Sequence, residues 1–591
     1  MTSSTTSRAS TIDPISASVI QGALQSIAVE MGYKLMRMSY SSIIRESEDF
    51  GAALTDAQGR QIAESMQSTP LQSGPIAGYV QNVLETLEAR GDRVNPGDVI
   101  LHNDPYGGAS HGPDFAFLVP VFRDEQLVGF AATTAHHLDV GAQTPGSAGI
   151  VEAIDVYAEG LQFKAIKVRD RGVDNAAVWQ ILRDNVRAPK LVVGDMEAQI
   201  AACEIGAERF GALIDEHGRD RVEAAVDALM DHSEAMMRQA IAALPDGVYK
   251  AETKLDGFLD DPERRHYTLA VTLTVKGDEI HVDLTGTSPQ CDDRPINMPY
   301  VGTTDIAIWL TLRSVLLDSA VHGIIPQNSG LTRPITIFAP KGCLANPSFP
   351  APVIARFTGG NGLADTVMKA LAQCAPQQVS AGIGNLKVIA FSGLTSGEHW
   401  VHMEIFEGAY GGRFGMDGMD AVDTLYANTR NNPIEDIESH LPLRVTRYEL
   451  NEGVTGPGKW RGGFGSIRGF EFLADGGGSV EGEGHEFRPW GFQGGGQGGT
   501  ASLTSISPEG RASSLPSKVP YRAAKKGETF VATGPAGGGY GNPFERDPEA
   551  VLDDVLDGLL SAEQARADYG VVIASGALDA AATDAARKGA A

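Results

Sequence analysis

The stretch Asn103-Asp104-Pro105-Tyr106-Gly107-Gly108-Ala109-Ser110-His111-Gly112-Pro113-Asp114 decides how this chain is read, because similar side chains return at Ala135-His136-His137-Leu138-Asp139. Between the two, Phe115–Phe122 and Leu127–Ala135 read as strands joined by a turn over Arg123–Gln126. Pairing Phe122 with Leu127 and counting back along the ladder sets His136 opposite Pro113, beside Asp114 and near His111. Opposed side chains on such a ladder stand ~5 Å apart, so three potential ligands separated in sequence can meet. Two imidazoles and a carboxylate with open positions suit a catalytic divalent ion, zinc or manganese, with iron a further option. Such an ion lowers the pKa of bound water or polarises a carbonyl. The glycines and prolines around His111 stiffen an exposed loop rather than a core. His217, His266 and His399 lack such company and read as surface or packing residues.

Working outward, Asp13-Pro14 reads as a capped helix start, and Ile15, Val19, Ala23, Ile27, Met31 and Leu35 then recur at a helical spacing expected to be buried. Ala77–Glu88 and Asn185–Met236 also read as helical, and Val99–His102 as a strand. From Gly247 to Thr285 the pattern turns to β, with Tyr267–Val275 and Glu279–Leu284 joined at Lys276-Gly277-Asp278. Thr303–Leu316 reads as a buried helix, and another is expected from Leu363 to Cys374. Glycine pairs and triplets at Gly411-Gly412, Gly462-Gly463, Gly476–Gly478, Gly494–Gly496 and Gly537–Gly539 read as turns between short β segments. Helices are expected at Pro548–Leu560 and Ala562–Asp568.

At 591 residues the chain exceeds what one core can hold. The fold class is therefore mixed α/β (α+β) and multidomain. The expected layout is a disordered N-terminus (1–12), a metal-site domain (13–245), a central α+β region (246–400), a Gly-rich β-containing region with terminal helices (401–575) and a frayed tail (576–591). A net charge of -27 argues against nucleic-acid or anionic-membrane partners, which need surplus Lys and Arg. Cys203, Cys291, Cys343 and Cys374 form no CxxC pair, and the first residues lack a signal-peptide core; both fit a cytoplasmic setting. No run of ~18 apolar residues occurs, so no membrane span is expected.

Asn103–Asp114, Ala135–Gly141 and Pro145-Gly146-Ser147 together resemble the hydantoinase B/5-oxoprolinase family, whose members carry NDPYxGGTHLPD and then AHHxDIGG with PGS. Ser42–Phe50, Pro433–Glu438, Arg461–Gly465 and Gly537–Gly541 are similar to further blocks of the family, so the resemblance covers nearly the whole chain. It implies a metal held by His111 and His136 with an acidic residue. Asp49 and Asp114 are both candidates for that acid and for catalysis, and Asp49 is favoured because its block is shared and no strand pattern explains it. His137 is a further catalytic candidate or, with Asp139, a group that orients a ligand. Ala109-Ser110 departs from the family's Gly-Thr, and Gly359–Asp365 departs from its GNxETSQ block, which leaves the substrate open.

The resemblance implies the metal-dependent hydrolytic B-type (beta) subunit of an ATP-dependent cyclic amidase opening a hydantoin, 5-oxoproline or other lactam. ATP and magnesium are expected on an A-type (alpha) partner in an α2β2 hetero-oligomer, since this chain has no GxxxxGK[ST] run. Gly359–Gly362 and Gly408–Arg413 are expected to approach substrate, with Arg356, Asn361 and Arg413 as substrate-binding candidates. Two other functions fit the same resemblance: a subunit of an acetone- or acetophenone-type ketone carboxylase, and a non-catalytic scaffold subunit.

Overall fold

The computed structural model describes residues 12–147, 151–258 and 266–590. The expected disordered N-terminus lies outside these residues except for Ile12, which packs against the N-terminal core. Helix α1 (Pro14–Met38) begins as its sequence requires: the Asp13 side chain accepts from the Ser16 amide at 2.9 Å, and Pro14 occupies the first turn. Its buried face includes Ile20, Leu24, Ile27, Met31 and Leu35, whereas Ile15 and Val19 are 78% and 54% exposed. A series that repeats every four residues drifts about 40° around a helix at each step. Five steps carry Leu35 well away from the side on which Ile15 sits, so the expected burial fails at the first turns.

Seven strands form one antiparallel sheet: β1 (Phe50–Asp56), β2 (Gln61–Glu64), β3 (Val99–His102), β4 (Asp114–Arg123), β5 (Gln126–His136), β6 (Ile166–Asp170) and β7 (Val173–Asp174). Their order is β2-β1-β5-β4-β3-β6-β7. Helix α1 and the helix Pro189–His217 bury apolar residues against the sheet in one core, and the helix Ile76–Ala89 does so in another. The helical stretch expected over Asn185–Met236 is two helices, Pro189–His217 and Arg219–Ala242, divided at Gly218, whose φ of 82° ends the first.

The β4–β5 hairpin turns on Asp124 and Glu125, both left-handed at φ 51° and 63°. Phe122 pairs with Leu127 but Val121 pairs with Gly129, so Val128 is one extra residue on β5. This bulge moves the rest of the ladder by one place. Asp114, not Pro113, therefore stands opposite His136. Both faces of these strands are buried, and apolar alternation marks no bulge there.

Gly247–Asp256, His266–Lys276 and Glu279–Asp283 form an antiparallel set, with Ile335–Phe338 added in parallel at its edge. One hydrophobic core runs from Leu35 to Ala427 and takes in this sheet and the helices Asp305–Leu316 and Arg356–Leu371. The helix expected from Leu363 starts at Arg356 and encloses Gly359, Gly360 and Gly362. A Cβ at Gly360 or Gly362 would come within 2.8 Å of Tyr426 or 2.7 Å of Leu255, so these glycines serve close packing and form no loop.

In the C-terminal half two sheets close over Phe391, Phe406, Phe470, Phe472 and Phe530. Gly476–Gly478, read as a turn, lies inside the strand Gly476–Gly482. The other glycine runs let bare backbones stack: Gly412 N–H donates to Gly538 O at 2.8 Å and Gly538 N–H to Gly382 O at 2.9 Å. A Cβ on Gly462 would overlap the Gly537 carbonyl. Residues 576–591, expected to fray, contain a strand pair to Ile573-Ala574 and the helix Ala580–Ala590, anchored where Thr583 Oγ1 accepts from the Val572 amide at 2.9 Å. No helix among the described residues is long and apolar enough to cross a membrane.

Candidate metal centre

Asp114 opens β4, His136 closes β5, and His111 sits on the loop ahead of β4; the bulged hairpin brings them together. His111 Nε2 lies 3.0 Å from Asp114 Oδ1 and 3.1 Å from His136 Nδ1, and His136 Nδ1 lies 3.1 Å from Asp114 Oδ1. All three residues are buried. Burial and the Arg356 guanidinium push His111 down to about 4, so it is neutral near pH 7. Its Nδ1–H donates to Ile354 O at 2.8 Å, which leaves the Nε2 lone pair facing the other two atoms. His136 Nε2 is bonded to Ser147 Oγ at 2.8 Å, which frees Nδ1.

Three electron-pair donors face one another, an arrangement that a cation relieves. Metal ligands at about 2.1 Å and about 90° apart lie about 3.0 Å from each other, whereas a tetrahedral pair is about 3.4 Å apart. The observed edges match the first case. His111, Asp114 and His136 thus form a group able to hold a metal.

The surroundings fix that group. Burial opposes charge on Asp114, yet its contacts with His111, His136 and Arg356 overcome this and hold it well below the usual carboxylate range. Asp114 Oδ1 also accepts from Gln72 Nε2 at 2.8 Å, and Oδ2 from Arg356 Nη2 at 3.1 Å. Arg356 Nε donates to Ser110 Oγ at 2.8 Å, so the serine that departs from the family pattern seats this guanidinium. Asn103 Nδ2 donates to Gly112 O at 2.6 Å and its Oδ1 accepts from the Phe163 amide, clamping the ligand loop. Glu159 Oε1 accepts from the Val353 and Ile354 amides, presenting Ile354 O to His111.

Asp49 stands outside the triangle. It precedes β1, its carbonyl accepts from the His136 amide at 3.2 Å, and burial raises its carboxyl to about 6. With His111, His136 and Arg356 it faces a cavity of about 30 Å³, walled otherwise mostly by apolar side chains such as Leu71, Phe357, Met403 and Ile405. His137 turns to the opposite side: its ring packs on Phe115 with centroids 4.7 Å apart, and Nε2 contacts Gln199 Oε1 at 2.9 Å. Asp139 is bound by Arg187 at 3.0 Å and touches none of His111, Asp114 and His136. Both residues follow the strand, where alternation and the chain's exit direct them away from His136.

The structure brings Arg356 to the centre as the partner of Asp114. Asn361 is elsewhere, bonded to Thr424 at 2.6 Å and lining a different cavity. Arg413 is exposed, with its guanidinium on the Met416 sulfur. Gln72, Ser147, Glu159 and Tyr79, whose hydroxyl donates to Asp114 O at 3.0 Å, carried no sequence signal beyond the PGS block around Ser147.

A hydantoinase B/oxoprolinase family pattern matches residues 13–543. The chain is 63% identical over 565 residues to the B-type subunit of a protein named "Putative D-/L-hydantoinase" from Pseudomonas sp. (strain NS671), covering 95% of each chain. It is 32% identical to the caprolactamase beta chain of Pseudomonas jessenii over 98% of this chain and 99% of that one. The crystal structure of ATP-dependent caprolactamase from the same organism superposes with a TM-score of 0.88 at 29% identity, over 98% of this chain and 100% of that one. A nucleotide-free acetone carboxylase structure shares the fold with a TM-score of 0.88 at 20% identity, over 98% and 83% of the two chains. The site motifs, the multidomain fold and these matches agree: the chain belongs to the hydantoinase B/oxoprolinase family.

Proposed function

We propose that this chain is the hydrolytic B-type subunit of an ATP-dependent cyclic amidase, opening a hydantoin or lactam ring together with an ATP-binding A-type subunit in the cytoplasm. The observation that carries this reading is the buried His111–Asp114–His136 triangle, open on one side to a small cavity that Asp49 shares. Relatives named as the B-type chain of a hydantoinase and the beta chain of a caprolactamase support both the substrate class and the partner.

A ring amide resists water because nitrogen donates into the carbonyl. Transfer of the ATP γ-phosphoryl group to the carbonyl oxygen, at the partner, removes that donation and releases ADP. Water then adds at the carbon, the ring C–N bond breaks with a proton delivered to nitrogen, and a second water releases phosphate from the acyl phosphate. His111, Asp114 and His136 would hold a divalent ion (zinc, manganese or iron), which when bound would supply Lewis acidity toward water or the carbonyl. Asp49 takes the proton from the attacking water and returns it to the departing nitrogen, a role that suits a carboxyl raised to about 6. Arg356 and Gln72 hold Asp114 in one orientation, and the apolar wall keeps bulk water from the reacting carbon.

The test is the reconstituted two-subunit complex incubated with ATP and either hydantoin or caprolactam. Ring-opened product in step with phosphate release supports the reading. Incorporation of labelled bicarbonate into acetone or acetophenone, without ring opening, overturns it in favour of a carboxylase.

A further inference from the structure

Behind the metal centre, across the short helix Pro70–Ser73, lies a second cavity of about 490 Å³. This is within the range of sites that enclose a small molecule. Its wall joins Gln61 and Glu64 of β2 to Trp309 and Arg313 of the helix Asp305–Leu316 and to Gln327. The remaining surface is largely apolar, with Ile306, Leu331 and Ile335 among its members.

Several polar groups of this wall are left without partners. Arg313 Nε is buried without a hydrogen-bond partner among the described residues. Trp309 Nε1, Gln61 Oε1 and Gln327 Oε1 are likewise buried without a hydrogen bond. Glu64 accepts from Gln61 Nε2 at 2.7 Å. It shares the cavity with Arg313 and feels its charge, but the two form no ion pair. The buried Arg313 Nε–H and the buried indole N–H, both without an acceptor, are costly. A ligand that supplies acceptors for both removes that cost.

The charges are opposite and separated, which selects the ligand's own charge pattern. A carboxylate satisfies the guanidinium and the indole N–H, and an ammonium satisfies the Glu64 carboxylate and the two glutamine oxygens. The apolar wall covers an aliphatic side chain. We propose that this cavity binds a free zwitterionic amino acid with an aliphatic side chain, its carboxylate on Arg313 and Trp309, its ammonium on Glu64, Gln61 and Gln327.

The position gives the site a line to the metal centre. Pro70 and Ser73 line the amino-acid cavity, while Leu71 lines the small cavity and Gln72 Nε2 donates to Asp114 Oδ1 at 2.8 Å. The binding itself is independent of the proposed reaction, although ring opening of a lactam yields a product of this chemical class.

The experiment is calorimetric titration of the full-length, metal-loaded chain with L-leucine and D-leucine. Leucinamide (no carboxylate) and 4-methylpentanoate (no ammonium) are the controls. At least one leucine enantiomer binds saturably, and both controls bind at least about tenfold more weakly. Arg313→Met lowers leucine affinity at least about tenfold with metal content unchanged. Glu64→Gln weakens leucine but not 4-methylpentanoate, a split that general loss of structure would not give. Binding persists in His136→Ala, which separates this site from the metal centre. No binding of either enantiomer up to about 10 mM, or undiminished binding in Arg313→Met, overturns the proposal. So does binding that His136→Ala abolishes and Arg313→Met leaves intact. Neither ATP nor the partner enters the assay, so its failure is distinct from failure of the amidase reading.

Discussion

Asp114 and Asp49 are both buried carboxyls beside His136, yet their surroundings separate them. Asp114 is held low and lies within 3.1 Å of both imidazoles, while Asp49 is raised to about 6 and stands across the cavity. Elemental analysis is therefore expected to show that Asp114→Asn and His136→Ala lose most of the divalent ion, whereas Asp49→Asn keeps it. In the assembled enzyme Asp49→Asn loses on the order of 10² or more in kcat, the usual weight of a general base. Metal loss in Asp49→Asn with retention in Asp114→Asn would exchange their roles. The histidines and Asp114 were legible in the sequence because they sit in one motif and one hairpin. Gln72 was not, and Arg356 was expected at substrate and not at Asp114, since their contacts with Asp114 span 42 and 242 residues. A second residue-scale effect concerns Glu407, which burial raises to about 8 and whose Oε2 has no partner among the described residues. The folded chain keeps a proton there that the unfolded chain loses above the ordinary carboxyl range. Stability from this group is thus full at low pH and lost as pH rises through about 8, by at most about 1.4 kcal/mol per pH unit. Denaturant unfolding between pH 6 and 8.5 is expected to show a shallower decline in Glu407→Gln than in wild type. Glu159 and Glu481, raised to about 8 in the same way, retain part of the slope. Parallel curves for the two proteins would remove Glu407 from the effect.

The β4–β5 hairpin shows what an element adds to its residues. Its strands and turn were readable from apolar runs flanking a polar turn, but the extra residue Val128 was not, and that residue decides which side chain faces His136. The glycine-rich C-terminal segments were misread for a related reason. Composition marks where a backbone lacks side chains, and it does not distinguish a tight turn from two chains in direct contact, as at Gly412 and Gly538. Register and stacking are properties of paired segments, so a single strand carries no record of them. The hairpin turn itself holds two non-glycine residues in the left-handed region, Asp124 and Glu125, at a cost that glycine relieves. Replacing Glu125 with Gly is expected to raise unfolding stability by about 0.5–1 kcal/mol. Metal content should stay unchanged, because the turn lies at the far end of the hairpin from Asp114 and His136. A lower unfolding midpoint in that variant would show that entropy gained by the unfolded chain outweighs the strain removed.

At the scale of the whole molecule, the centre is assembled from distant parts of the chain. Asp114 and His136 come from the first sheet, His111 from the loop before it, Arg356 from the central helix, and part of the cavity wall from Met403 and Ile405 of a C-terminal sheet. One continuous core from Leu35 to Ala427 holds these parts in register. Nothing in the sequence resembles a phosphate loop with its lysine, and the net charge of -27 disfavours holding a nucleotide without one. An unactivated ring amide reacts slowly even where water is acidified, so the proposed reaction assigns activation to the partner chain. The phosphorylated ring amide is prone to loss in bulk water, which favours a stable complex with an enclosed passage over release and recapture. This chain alone is therefore expected neither to hydrolyse ATP nor to open a cyclic amide, and its mixture with the A-type partner to do both. Sedimentation of the mixture should show one stable hetero-oligomer, and phosphate and ring-opened product should appear together. In His136→Ala ring opening should be lost. ADP formation that continues in that variant would place the histidine after phosphoryl transfer, as the proposed order of steps requires. Full activity from the isolated chain would instead require a nucleotide site within these 591 residues and would end the two-subunit mechanism.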